Sequence, residues 1–248
     1  MKQPELIAHL GLVNPAPENT FAAFQAAIDA GADGIELDVR LTADQVPVVY
    51  HYYYLWVNTN VQDAIFALSL DELRRARVRH GAGEYLEAIP TLEDTLHHYA
   101  GKIGLEIELK GPEPECASLV GDLLSGFKQY WPSFEVTSFE PALLHRIQAK
   151  CPGIAADLLI PRSEDWMQND VVIYQAIQRG RLAHARAIHL HPSQLSQEAV
   201  EQVRAAGMEV HAWDVNDAEA LTKMTELDIP KVCTDDLRQM KGLTVNPL

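Results

Sequence analysis

The chain has 248 residues, with 20 Lys and Arg against 35 Asp and Glu, so its formal net charge at pH 7 is −15. A hydrophobic fraction of 47% and a charged fraction of 22% are typical of a folded globular protein and exclude disorder for most of the chain. The acidity argues against nucleic acid or an anionic membrane surface as the main partner, because both bind basic faces.

Short apolar runs rich in strand-forming residues alternate along the chain with segments of helical period. We predict eight principal strands, at Leu6–His9, Gly34–Val39, Ile103–Leu109, Phe134–Ser138, Ile154–Ile160, Ala187–Leu190, Glu209–Trp213 and Lys231–Thr234. The clearest helices are predicted at Thr20–Ala30, Ser196–Ala206 and Asp217–Leu227. For the first of them Asn19 is the candidate N-cap and Gly31 the terminating glycine.

Strand–helix alternation over this length predicts a (β/α)8 TIM barrel. An open doubly wound sheet is the structural alternative, but no Gly-x-Gly-x-x-Gly follows the first strand. A ninth extended run, Val46–Tyr50, comes directly after the second strand, and residues 52–90 lack a barrel repeat. We therefore expect residues 1–248 to form one domain with an insertion at about 52–90, above the barrel mouth.

Polar residues stand at the ends of several predicted strands, where barrel enzymes build their active sites. The first strand ends in His9, the second contains Glu36 and Asp38, and the extra run is followed by His51. The third strand contributes a further set of ionisable residues on one face, Glu106, Glu108 and Lys110. Because side chains alternate along a strand, Glu36 and Asp38 share a face, and one or both of Glu106 and Glu108 are expected to join them.

Converging carboxylates repel one another, and a hard divalent cation relieves that repulsion. Oxygen ligands alone favour Mg²⁺ or Ca²⁺ over zinc. The alternative is an exposed acidic rim that holds only water. Histidines at two strand ends beside a metal are suited to general acid–base catalysis. Lys110 on the same face is suited to holding an anionic oxygen, or alternatively to an ion pair with Glu108 or Glu36.

A series of short motifs along the chain resembles the motifs of a known protein family. The motifs that carry the resemblance are Ile7-Ala8-His9, Pro17-Glu18-Asn19-Thr20, Gly31–Val39, Pro47-Val48-Val49-Tyr50-His51, Ile107-Glu108-Leu109-Lys110, Ser138-Phe139, Trp213–Asp217 and Thr234-Asp235. Their order is similar to that in glycerophosphodiester phosphodiesterases, and the likeness covers most of the chain.

The resemblance implies a TIM barrel with an insertion after the second strand, one divalent cation, and a small-molecule phosphodiester as substrate. By the resemblance the metal ligands are Glu36, Asp38 and Glu108. Glu106 is a candidate for supporting these ligands without touching the metal itself. His9 and His51 are then the acid–base pair, and the substrate contacts are Lys110, Tyr52 and Trp213. It also implies a role in lipid metabolism.

The chain departs from the family pattern at four positions. Leu10 and Val57 stand where the family has arginines, Tyr52 where it has Asp, and Asp214 where it has Thr. Two anion-binding guanidiniums are thus absent, and an aliphatic side chain does not replace a bidentate contact. Either the metal and Lys110 hold the phosphate beside an aromatic pocket, or the barrel has lost its activity and binds a ligand or nothing. We favour the active enzyme.

The expected reaction is metal-dependent hydrolysis of a glycerophosphodiester to an alcohol and glycerol phosphate. One histidine acts as base and the other as acid. An internal hydroxyl can attack first, through a cyclic phosphate. The alternatives are a related barrel lyase that stops at the cyclic phosphate and a catalytically impaired binding barrel.

Cellular location is inferred from the cysteines and the first residues. Cys116, Cys151 and Cys233 show no Cys-x-x-Cys spacing, which is typical of free thiols in a reducing compartment. The first residues lack the apolar region of a secretion signal, and no segment has the roughly 20 apolar residues that cross a bilayer. We therefore expect a cytoplasmic protein without membrane insertion.

Overall fold

The computed structural model describes residues 2–14, 16–79 and 85–245. Its strands are β1 (Glu5–Ala8), β2 (Gly34–Leu41), β3 (Pro47–Val49), β4 (Val78–Arg79), β5 (Tyr85–Glu87), β6 (Gly104–Leu109), β7 (Phe134–Ser138), β8 (Ala155–Leu159), β9 (Ala187–Leu190), β10 (Glu209–Ala212) and β11 (Lys231–Thr234). Its α-helices are α1 (Phe21–Asp29), α2 (Leu70–Leu73), α3 (Leu92–Tyr99), α4 (Cys116–Ser125), α5 (Pro141–Lys150), α6 (Asn169–Ala183), α7 (Gln197–Ala205), α8 (Ala218–Glu226) and α9 (Leu237–Val245). Short 3₁₀ helices lie at Leu55–Val57, Ile65–Ala67, Lys128–Ser133 and Pro192–Gln194.

Eight parallel strands close into a barrel in the order β1-β2-β6-β7-β8-β9-β10-β11, with β11 paired back to β1. The TIM-barrel prediction is confirmed. The extra run forms β3, which pairs antiparallel with the end of β2, with Val39 opposite Val49.

Alternation along the strands separates an apolar layer from a polar barrel interior. On β2, Ile35, Leu37 and Val39 are fully buried in the main core cluster, whereas Glu36 and Asp38 occupy the alternate positions. Strands β2 and β6 run in register with Glu36 opposite Glu106 and Asp38 opposite Glu108. This pairing brings the acidic residues of two strands side by side inside the barrel.

Helix caps set where the predicted helices begin. Ser196 and Asp217 accept hydrogen bonds from Ala199 N (3.2 Å) and Ala220 N (2.7 Å), as expected for N-caps. The prediction for α1 is wrong by one residue, because Thr20 is the cap and accepts from Ala23 N at 3.3 Å. Asn19 is instead turned toward β2.

The segment between β3 and α3 folds beside the barrel mouth. The two-stranded antiparallel sheet β4–β5 lies within it. It has a small core of its own, formed by Val48, Tyr50, Leu55, Val61, Ile65, Leu68, Leu73 and Ala76. Residues 80–84 of the predicted insertion lie outside the described residues. Among the described helices, none combines the length and apolarity needed to cross a bilayer.

Candidate active site

A cavity of about 280 Å³ opens at the carboxyl ends of the barrel strands. Its lining residues are His9, Glu36, His51, Glu106, Glu108, Lys110, Phe139, Leu159, Trp213, Asp214, Cys233, Thr234 and Asp235. Most of the residues predicted for the site therefore meet at one place. Tyr52 is not among the described lining residues, and Asp38 lies fully buried beside the cavity.

The three predicted metal ligands form one buried carboxylate cluster. Glu36, Asp38 and Glu108 each offer an oxygen within 4.8 Å of the other two. Among the described residues, none partners Glu36 Oε1. Asp38 Oδ1 and Glu108 Oε1 are approached by the ammonium of Lys110. One ammonium does not balance three buried carboxylates, and a divalent cation would supply the positive charge and the oxygen contacts that the cluster lacks.

The second oxygens of Glu36 and Asp38 are held from the loop after β1. Leu10 N donates to Glu36 Oε2 at 3.1 Å, and Asn19 Nδ2 donates to Asp38 Oδ2 at 2.8 Å. Leu10 and Asn19 both have positive φ, 56° and 55°, a conformation that costs free energy for residues other than glycine. This strained loop thus aims two donors at the carboxylates.

Crowding changes the protonation of the cluster. Burial, followed by the charge of Asp38, raises the pKa of Glu36 well above its ordinary value and that of Glu108 to about 7. Lys110 lies with Nζ 2.9 Å from Glu108 Oε1 and 3.3 Å from Asp38 Oδ1. Although burial opposes it, the charge of Asp38 and then that of Glu108 raises the pKa of Lys110.

His9 is held by a carboxylate from the far end of the chain. Its Nδ1 lies 2.5 Å from Asp235 Oδ1, and its Nε2 lies 3.9 Å from Glu36 Oε2. Asn216 fixes Asp235 by donating from Nδ2 at 2.8 Å and accepting from the Asp235 amide at 2.7 Å. Burial lowers the pKa of His9, but the hydrogen bond to Asp235 and the charge of Glu36 outweigh it and raise the pKa to about 10.

His51 has a different environment from His9. Its Nδ1 is buried and receives no hydrogen bond from any described residue, and burial lowers its pKa. Tyr52 packs against it edge to face, with ring centroids 4.6 Å apart. Arg40 Nε donates to the His51 carbonyl at 2.7 Å, and the Arg40 guanidinium lies 3.8 Å from the Tyr53 ring centroid. His51 is therefore positioned by a backbone hydrogen bond and ring packing, whereas His9 is positioned by a carboxylate.

Two of the three predicted substrate contacts lie at the cavity, and the third, Tyr52, is not among its described lining residues. Lys110 and Trp213 line the cavity. Trp213 Nε1 donates to the Ile160 carbonyl at 3.1 Å, which fixes the indole. The Tyr52 hydroxyl is instead hydrogen-bonded to Glu18, so the Tyr52 side chain is directed toward the loop between β1 and α1.

The positions that depart from the family pattern lie at different depths around the site. The Leu10 side chain is buried, and Val57 lies in the 3₁₀ helix Leu55–Val57, between β3 and α3. Asp214 reaches the cavity rim with φ +62° and lies 3.3 Å from His191 Nε2. In the described part of the chain, the guanidinium that contacts the backbone of His51 belongs to Arg40.

Sequence reasoning missed several residues that position the site. Asp235 and Asn216 enter the sequence analysis only as members of family motifs, and Asn19 only as a motif member and candidate cap. Each contacts its partner across the barrel seam or a loop, which local periodicity does not report. The family motifs that contain these three residues were the available signal.

Comparisons with known proteins agree with this geometry. The sequence model of the "Glycerophosphoryl diester phosphodiesterase family" matches residues 9–239. YhdW of Bacillus subtilis (strain 168) is 31% identical over 239 residues, covering 93% of each chain. A protein of Caldanaerobacter subterraneus named glycerophosphodiester phosphodiesterase is 30% identical over 242 residues, again covering 93% of each. A phosphodiesterase of Oleispira antarctica, solved with the product sn-glycerol-3-phosphate, superposes with a TM-score of 0.82 at 28% identity and 98% coverage of both chains.

Proposed function

We propose the function of this chain from one premise: it belongs to the glycerophosphoryl diester phosphodiesterase family. It hydrolyses a glycerophosphodiester to an alcohol and glycerol phosphate. The observation that carries the proposal is the single cavity at the barrel mouth that joins the carboxylate cluster, two histidines and a lysine. The relative solved with sn-glycerol-3-phosphate supports this product class.

Glu36, Asp38 and Glu108 would hold one divalent cation. Three buried carboxylates that share one ammonium, with Glu36 Oε1 unpartnered among the described residues, fit a hard cation, and the all-oxygen donor set favours Mg²⁺ or Ca²⁺. When bound, the cation supplies charge that polarises phosphate oxygens and stabilises the transition state. It also offsets the mutual repulsion that raises the pKa of Glu36 and Glu108.

His9 and His51 would move the protons of the reaction. The Asp235 contact occupies Nδ1 of His9, and Nδ1 of His51 is buried, so Nε2 is the nitrogen of each ring left for substrate. One imidazole takes the proton of the attacking hydroxyl as the oxygen–phosphorus bond forms. The other gives a proton to the leaving alcohol oxygen as its bond to phosphorus breaks. Where the attacking hydroxyl belongs to the glycerol, this step leaves a cyclic phosphate. Water then attacks the phosphorus and loses a proton to one imidazole, while the ring P–O bond breaks and its oxygen takes a proton from the other, which gives glycerol phosphate.

Lys110 and Trp213 would bind the substrate. The Lys110 ammonium, between Asp38 and Glu108, is placed to reach a phosphate oxygen beside the carboxylate cluster. It partly replaces the guanidiniums absent at positions 10 and 57. Trp213, with its indole fixed to the Ile160 carbonyl, would form an apolar wall against the alcohol. Tyr52 would support His51 by ring packing and would not touch the substrate directly.

A panel of phosphodiesters assayed with Mg²⁺, Ca²⁺, Mn²⁺ and chelator tests the proposal. Phosphorus NMR should show glycerol phosphate accumulating only with a divalent cation. A cyclic ester that persists would instead identify a lyase, and no metal-dependent turnover of any diester would identify a binding barrel. His9→Ala and His51→Ala should each abolish turnover with the fold intact, whereas the exposed His97→Ala should not.

The remaining predictions concern the whole chain. We infer that it is one domain with an insertion, that it acts in lipid metabolism, and that nucleic acid is not a partner. Cys116, Cys151 and Cys233 are free and buried, which supports a reducing compartment. Cell fractionation tests the predicted cytoplasmic location.

A further inference from the structure

A second polar cluster lies in the barrel interior, away from the mouth. It is formed by Glu135 on β7, Asp157 on β8, His189 on β9 and His211 on β10. Each offers a ligand atom within 4.8 Å of the others, and all four are buried. None of these four residues is among the described lining residues of the cavity at the mouth.

The two imidazoles face each other. His189 Nε2 lies 3.0 Å from His211 Nδ1, and Asp157 Oδ2 lies 3.3 Å from the former and 3.8 Å from the latter. Two nitrogens on one tetrahedral zinc, each at about 2.0–2.1 Å, are about 3.4 Å apart. A small opening of this pair therefore creates a two-nitrogen, one-carboxylate site.

The outer nitrogens of both rings face carboxylates. His189 Nδ1 lies 3.5 Å from Glu106 Oε1, and His211 Nε2 lies 3.4 Å from Glu209 Oε2. This carboxylate–histidine pairing orients imidazoles for a metal. His189 Nδ1 is also fully buried without a hydrogen bond from any described residue. Metal on Nε2 would fix the proton on Nδ1, facing Glu106.

A cavity of about 800 Å³ at the amino ends of the strands leads toward this cluster, and Glu106, Glu135, Arg186 and Lys231 line it. Arg186 contacts both Glu135 and Asp157, and Lys231 Nζ lies 2.7 Å from Glu135 Oε1. The Arg186 side chain is 38% exposed. It can therefore move into the cavity and leave the carboxylates to another cation.

We propose that His189, His211 and Asp157, with Glu135 as the fourth candidate ligand, form a second metal site selective for Zn²⁺-like cations, for which Arg186 is the internal competitor. Nitrogen donors distinguish it from the all-oxygen cluster at the mouth. The proposal does not depend on the proposed function. Metal bound per chain measures it, and turnover does not.

Equilibrium dialysis against Zn²⁺ in excess Mg²⁺, with metal quantified per chain, tests the site. Mg²⁺ occupies oxygen ligands, so wild type should retain one Zn²⁺ per chain. Arg186→Gln should bind Zn²⁺ about tenfold tighter because the cation that competes for Asp157 is gone, although Lys231 still pairs with Glu135. Wild-type protein that retains no Zn²⁺ under these conditions would overturn the proposal.

Two variants at exposed carboxylates keep the test independent of folding. Glu209→Gln removes the partner of His211 Nε2 and should weaken Zn²⁺ binding about 10–100-fold. Glu5→Gln removes a carboxylate that lines the cavity of about 800 Å³ and contacts neither imidazole, so it should have no effect on Zn²⁺ affinity. Equal Zn²⁺ affinity in both variants would overturn the assignment. So would loss of the Zn²⁺ in His184→Gln, since His184 stacks on His145 at the surface.

Discussion

Asp235 Oδ1 lies 2.5 Å from His9 Nδ1, although the two residues are 226 positions apart. The contact crosses the barrel seam, where β1 pairs with β11 and Ala8 is opposite Thr234. Barrel closure therefore orients a predicted catalytic imidazole.

Replacement of Asp235 by Asn should lower kcat about 100-fold with a smaller effect on KM. The imidazole loses the carboxylate that orients it and stabilises its charged form. Steady-state kinetics over a range of pH measures both effects, since the His9 limb of the profile should shift to lower pH. Asp236→Asn is the control, because Asp236 accepts from Gln239 N at 3.1 Å and Asn can keep that bond. Near-normal kcat in Asp235→Asn would contradict the role.

Stability of the metal-free protein should fall as pH rises from 7 to 9. The pKa of His9 is raised from 6.5 to about 10 in the folded state, so within this window the native chain binds a proton that the unfolded chain has released. The stabilisation from this proton is present below pH 6.5 and is lost as pH passes 10. Thermal melts in chelator measure it. The slope should be shallower in Asp235→Asn, and an equal slope would refute the assignment.

Glu108→Gln should remove most of the stabilisation that a divalent cation gives the folded protein. Wild type should have a higher melting temperature with Mg²⁺ or Ca²⁺ than in chelator. The free energy of unfolding should rise by about 2.7 kcal/mol when the cation is at 100 times its Kd. Glu108→Gln removes one repelling carboxylate, so it should be more stable than wild type in chelator and gain little from the cation. Differential scanning calorimetry, with the exposed Glu115→Gln as control, distinguishes the two responses. A full metal response in Glu108→Gln would remove Glu108 from the ligand set.

Lys110→Met should lower kcat/KM for a glycerophosphodiester about 100-fold, the scale of losing one preorganised charge contact to a transition state. The methionine keeps the aliphatic length and removes only the ammonium. Initial-rate assays at saturating metal measure the loss, and the exposed Lys102→Met should behave as wild type. An unchanged kcat/KM would mean that Lys110 serves only its ion pairs.

Leu10→Arg should raise kcat/KM for glycerophosphodiesters about tenfold, because a guanidinium would return to the position that carries it in the resembled family pattern. Leu10→Met is the matched uncharged control and should give no gain. The gain is measured as kcat/KM for one glycerophosphodiester in wild type, Leu10→Arg and Leu10→Met. No gain from arginine would show that this site has reorganised around Lys110.

The strand order and the mouth cluster could be predicted because both depend on local spacing. The Glu36-x-Asp38 and Glu106-x-Glu108 alternations place side chains on one face, and the register of β2 against β6 then places them together. The wrong cap at Asn19 has a specific cause: Asn is a good cap type, but here its amide is bound to Asp38. Tyr52 follows His51 directly in sequence, yet its hydroxyl is bound to Glu18.

The sequence by itself determined the barrel, the polar strand ends and the family, because strand alternation and motif spacing are properties of neighbouring residues. Only the tertiary structure decided which distant side chains meet. It joined Asp235 to His9, turned Tyr52 to Glu18, and brought His189 and His211 within 3.0 Å around Asp157. The physical reason is barrel closure: the register between strands far apart in the chain places these atoms, and no local pattern encodes it.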